Sequence, residues 1–154
     1  MADPFLLSHA CGFKQFTIAG PLVPVSIRDQ MLRAKLAVDR CYEQGLISGG
    51  RPLLVLGAGA GGATAAIRAA ELGFPVTLIE AAHQAFGRQN RCATRWVDPT
   101  QYDWPADHWC LGVFPWNRPP MPLPWASERS SVIAAVWDRE LRLARMRAGG
   151  LLIS

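Results

Sequence analysis

Residues 51 to 80 read RPLLVLGAGAGGATAAIRAAELGFPVTLIE, and they restrict the fold more than any other stretch of the chain. Leu53 to Leu56 is a short apolar run bounded by Pro52 and Gly57, the pattern of a fully buried strand. Gly57, Gly59 and Gly62 follow in the spacing G-x-G-x-x-G. An alanine-rich helical segment runs from Ala63 to Leu72, and Gly73 stops it, as a glycine just past a helix end does. Val76 to Ile79 is a second apolar run, and it ends in Glu80. Strand, glycine turn, helix, strand and acid is the order of a dinucleotide-binding unit.

Each part has a chemical reason. Gly57 permits the sharp turn from strand to helix, Gly59 lets a pyrophosphate approach the backbone, and Gly62 lets the helix pack tightly on the strand. The helix N-terminus presents unpaired N–H groups and the positive end of its dipole to the phosphates. Glu80 lies 18 residues beyond Gly62, close to the roughly 20 expected for an acid that hydrogen-bonds ribose hydroxyls. The same carboxylate would repel a 2′-phosphate, which disfavours NADP unless a nearby arginine compensates. The candidate cofactor-binding residues are Gly57, Ala58, Gly59, Ala60, Gly61, Gly62, Glu80, Ala81 and Arg88. The competing reading is that the glycines serve helix–strand packing alone.

The stretch from Leu53 to Glu80 resembles the N-terminal FAD-binding segment of two-dinucleotide-binding-domain flavoproteins, the group that includes the pyridine nucleotide–disulfide oxidoreductases. Ala66 and Gly73 fall where that family carries small residues. The resemblance implies FAD as cofactor, with NAD as the alternative, and it implies a place for Gly87-Arg88 near the adenosine and pyrophosphate. It covers about 30 of the 154 residues. The chain departs from the family in three ways. About 50 residues precede the segment, no Gly-Asp pair follows Glu80, and there is no C-x-x-C or C-x4-C redox pair, so disulfide reduction has no support.

Half of the 154 residues are apolar, enough for one domain with a core. The formal charge of +4 is modest and spread along the chain, with only two lysines, Lys14 and Lys35. That is a solvated surface and not a nucleic-acid footprint. Cys11, Cys41, Cys92 and Cys110 lie far apart and form no metal-ligand spacing. No secretory leader and no membrane-length apolar run is visible, so reduced thiols in the cytoplasm are expected.

Residues 1–50 read as an N-terminal extension, irregular up to residue 25 with a short strand near Phe13 to Ile18. A helix is expected over 26–45: Ser26 to Asp29 is a capping-box-like start, and Ile27, Met31, Ala34, Val38 and Cys41 recur at helical steps. Arg28, Arg33, Lys35, Asp39, Arg40 and Glu43 supply its polar positions. Residues 51–154 read as a partial dinucleotide-binding domain with a Trp/Pro-rich insertion at 96–126. Seven of the twelve prolines lie between Pro99 and Pro124, and all six tryptophans between Trp96 and Trp137. Such a stretch forbids long helices yet has much apolar surface to bury. An ordered loop is expected, either capping a small core or forming a wall toward substrate or isoalloxazine, with Tyr102, Trp104, His108, Trp109 and Trp116 as candidates. His108, near Asp103 and Asp107, is the one acid–base candidate, against a purely structural role. His83, Arg88, Arg91 and Arg95 follow the acid.

A second helix is expected over 127–148, from the stripe Ile133, Val136, Trp137, Leu141 and Ala144, with Gly149-Gly150 ending it before Leu151 to Ser154. The fold class is therefore α/β: a partial Rossmann-like three-layer fold whose small parallel sheet is built from 53–56, 76–80 and 151–154. Three strands are few for such a sheet. The expectation is the front portion of a larger flavoprotein, or a subunit whose other half comes from a partner or a second copy. A non-catalytic nucleotide-sensing or partner-binding module is the alternative from a different class. The substrate is not legible.

Overall fold

The computed structural model describes residues 3–19, 26–48, 50–99, 121–148 and 150–153. The elements in chain order are α1 (Pro4–His9), β1 (Ala10–Gly12), β2 (Gln15–Phe16), α2 (Ile27–Glu43), β3 (Leu53–Leu56), α3 (Ala60–Glu71), β4 (Val76–Ile79), α4 (Gly87–Asn90), β5 (Trp96–Val97), β6 (Glu128–Arg129), α5 (Ser130–Ala148) and β7 (Leu151–Ile153). The central sheet has the order β3-β4-β7 and is parallel throughout. Leu53 pairs with Val76 and Val76 with Leu151, so the three strands start level. Two antiparallel pairs, β1-β2 and β5-β6, stand apart from it.

Period-two alternation gives the sheet two different faces. Val76, Leu78 and Leu151 are buried, and Leu53 and Val55 pack against the same core. That core is one cluster. It joins the sheet to Ala63, Ala66, Ile67 and Ala69 of α3, to Ile133, Trp137 and Leu141 of α5, and to Met31 of α2. Small side chains along α3 let both neighbouring helices approach it. Leu54, Leu56 and Ile79 point the other way and stay exposed, so β3 is not the fully buried strand its apolar run suggests: only one of its faces is covered.

Several sequence expectations need correction. The first 25 residues are not all irregular: Asp3 accepts hydrogen bonds from the Phe5 and Leu6 N–H groups and Pro4 opens the helix, so α1 is capped by local chemistry. Ile18 lies outside the short strand it was assigned to, because β2 ends at Phe16. Residues 128–129 belong to β6 and not to the last helix, since they pair with β5 in the register Trp96↔Arg129. Glu80 falls just past the end of β4.

The largest difference concerns α2. Its start is as expected, with the Ser26 hydroxyl accepting from the Asp29 N–H at 3.1 Å. However, Arg33, Lys35 and Asp39, read as polar-face positions, are buried. The helix packs lengthwise on α3 and also meets α1, which leaves it little free surface. Two of these charges are compensated. Lys35 Nζ lies 2.7 Å from Asp39, whose other oxygen accepts from Arg68 Nε of α3 at 2.6 Å. Burial works against the charge of Arg68, but hydrogen bonds to Asp39 and Glu71 outweigh it and hold the guanidinium above its ordinary pKa. Burial also pushes the Cys41 thiol up to about 11, with the Asp3 carboxylate adding to the shift.

Candidate functional site

The glycine turn joins β3 to α3. Gly57 has φ +93°, a conformation that side chains rarely adopt, and its N–H donates to the Ile79 carbonyl at 2.7 Å. The turn is thereby fastened to the end of β4. Gly62 is required by contact: a Cβ there would stand 1.8 Å from the Gly57 carbonyl oxygen. Gly59 differs from both. It is exposed, its φ is −77°, and among the described residues nothing beyond its two chain neighbours lies within 4 Å of where its Cβ would be. The open space sits where a phosphate would have to approach.

Gly59 is also the N-cap of α3, and no side chain caps the helix. The first intrahelical bond runs from the Ala63 N–H to the Gly59 carbonyl at 2.9 Å. The N–H groups of Ala60, Gly61 and Gly62 precede it and have no helical acceptor. Ala58, Ala60 and Gly61 are buried. At Gly61 a Cβ would meet Ile18 Cδ1 at 2.5 Å and the Gln30 carbonyl at 3.5 Å, so its side-chain position serves packing of the N-terminal extension on α3. Only its N–H could serve an anion.

Glu80 is tied to the turn. One carboxylate oxygen accepts from the Ala58 N–H at 2.6 Å and the other from the Ala82 N–H at 2.9 Å. Each oxygen keeps a lone pair for a further donor such as a ribose hydroxyl. The carboxylate is thus held at the turn by protein groups alone. Ala81 lies exposed on the bend after it. Arg88 is exposed on α4 and makes no ion pair among the described residues, as do His83, Arg91 and Arg95 on the same side of the sequence. Tyr102, Trp104, His108, Trp109 and Trp116 lie outside the described residues.

One contributor to this site has no sign in the sequence. The Phe86 N–H donates to the Ala58 carbonyl at 2.9 Å, while Phe86 itself is in the left-handed region with φ +56°. Both backbone groups of Ala58 are therefore held, one by Glu80 and one by Phe86. A left-handed phenylalanine has no local signature, and Gly87 beside it was expected only to lie, with Arg88, near the adenosine and pyrophosphate. Among the described residues, no group of three or more His, Cys, Asp or Glu side chains could hold a metal ion, and no helix is long and apolar enough to cross a membrane.

Residues 55–116 match the family model of the NAD(P)-binding Rossmann-like domain. The match spans the glycine turn, Glu80, Phe86 and the Trp/Pro-rich stretch as far as residue 116. No curated protein and no solved structure matches the chain. Fold, turn geometry and family model agree on a Rossmann-like dinucleotide-binding segment within an α/β chain.

Proposed function

We propose that the chain holds the adenosine-diphosphate half of a dinucleotide on the Gly57–Gly62 turn, and that it is the FAD-binding portion of a flavin-dependent oxidoreductase. The observation that carries the reading is the combination at Gly59: open space over an uncapped helix N-terminus, with the Glu80 carboxylate bonded to the adjacent Ala58. The pyrophosphate would take the N–H groups of Ala60, Gly61 and Gly62, and the ribose hydroxyls would donate to Glu80. When bound, a flavin supplies hydride transfer; the residues of this chain bind and orient its adenosine end.

FAD is favoured by the likeness of residues 53–80 to flavoprotein segments. NAD is the second reading, favoured by the description of the matching family. Both use an unphosphorylated ribose, which suits Glu80. The test is the absorption spectrum of the purified chain after incubation with FAD and removal of excess by gel filtration. A retained flavin band is expected. Stabilisation against heat by NADH, with no retained flavin, transfers the proposal to the nicotinamide cofactor. Tight ADP binding without flavin or nicotinamide redox chemistry supports a nucleotide-sensing module. No stabilisation by any nucleotide overturns the proposal.

A further inference from the structure

We infer that Phe86 is the positioning residue of the glycine turn, holding the phosphate-facing N–H groups in place through Ala58. The inference rests on the dinucleotide reading for its ligand but not for its geometry. Three observations converge. Phe86 is one of two non-glycine residues with positive φ among the described residues, and the other, Lys14, lies in the exposed β1-β2 turn. A bulky residue in that region persists only where its surroundings over-determine it. Phe86 is fully buried, with its ring centroid 5.6 Å from that of Trp137, which meets Trp125 edge-on at 5.2 Å. Its backbone carries the only described hydrogen bond to the Ala58 carbonyl, and its own carbonyl accepts from the Asn90 N–H, which closes α4.

The parts form a chain of contacts from the core to the ligand side. Trp137 and Leu141 fix α5 in the core. The Phe86 ring rests on Trp137, and the unusual φ turns the Phe86 N–H toward Ala58. Ala58, gripped also by Glu80, fixes the direction of the next residues, Gly59 to Gly62. Replacing the ring loosens the turn without touching any group that meets the phosphate. A glycine at 86 would adopt φ +56° without strain, but it would have nothing to anchor it. The ring and not the backbone preference is therefore what positions the turn.

The test uses Phe86→Leu and Phe86→Gly in the full chain, with two readouts. Native-state hydrogen exchange compares the amides of Ala58 and Phe86 with those of β4. In both variants the two turn amides are expected to exchange at least tenfold faster relative to the β4 amides. Parallel loss of protection everywhere would mean that Phe86 is core packing only, and would overturn the inference. The second readout is ADP affinity by calorimetry, where both variants are expected to bind about tenfold more weakly than the wild type. Wild-type affinity in Phe86→Gly would also overturn it. If the wild-type chain binds no nucleotide, the functional proposal falls, and the exchange experiment still decides the role of Phe86.

Discussion

The two faces of the central sheet are made from the same kinds of residue and meet opposite fates. On one face Val76, Leu78 and Leu151 are sealed under α3 and α5. On the other, Leu54 is 61% and Leu56 74% exposed. A parallel sheet is ordinarily covered on both faces, because its crossovers lay helices over it. Here the described helices gather on one side. The difference separates stability from composition: a leucine in β3 contributes by what covers it, and hydrophobicity alone does not tell the two faces apart. The glycine turn lies at the end of the strands, supported from the covered side through Phe86 and Trp137.

The contrast is sharpest in the core residue that bears on both the helices and the turn. Trp137→Ala is expected to cost about 3–5 kcal/mol, seen as a large fall in the chemical denaturation midpoint. Leu78→Ala, on the covered face, should cost about 2–5 kcal/mol. Leu56→Ala, next along β3 from Leu78's partner Val55 but on the bare face, should change stability by less than about 0.5 kcal/mol. Equal costs for Leu78 and Leu56 would show that the bare face is covered in solution. The smallest effect is chemical. Cys11 is exposed and Cys41 is buried with its pKa raised to about 11, so an alkylating agent near neutral pH should label Cys11 first and Cys41 only on unfolding. Because the folded pKa of Cys41 lies above its ordinary value near 9, its contribution to stability is intact below pH 9 and lost as pH rises toward 11. A Cys41→Ala variant should lack that alkaline component.

The run from Leu53 to Glu80 was legible because each step has its own local signal. An apolar run marks the strand, glycines mark the turn, alanines mark the helix, and an acid stands at the expected distance. What escaped depends on partners distant in sequence. The burial of Asp39 is compensated by Arg68, 29 residues on, and no periodicity in α2 could announce it. The β6 strand looked like helix because its two residues differ from α5 only by pairing with Trp96 and Val97. Phe86 escaped because a left-handed backbone is normally announced by glycine or asparagine, and a phenylalanine held there by Trp137 gives no such notice. The six-residue α1 escaped because its cap is a single local contact, the Asp3 carboxylate accepting from the Phe5 and Leu6 N–H groups, with no helical period long enough to show.

If the space over Gly59 belongs to a dinucleotide, Gly59→Val must abolish its binding. The φ of −77° suits any residue, and among the described residues beyond its chain neighbours no atom lies within 4 Å of the new Cβ, so the variant should unfold within a few degrees of the wild type. The added side chain stands where the pyrophosphate must approach. FAD or ADP is expected to raise the unfolding temperature of the wild-type chain and to leave that of Gly59→Val unchanged. Equal ligand-induced stabilisation of both chains would contradict it, because the ligand would then be bound somewhere other than the glycine turn.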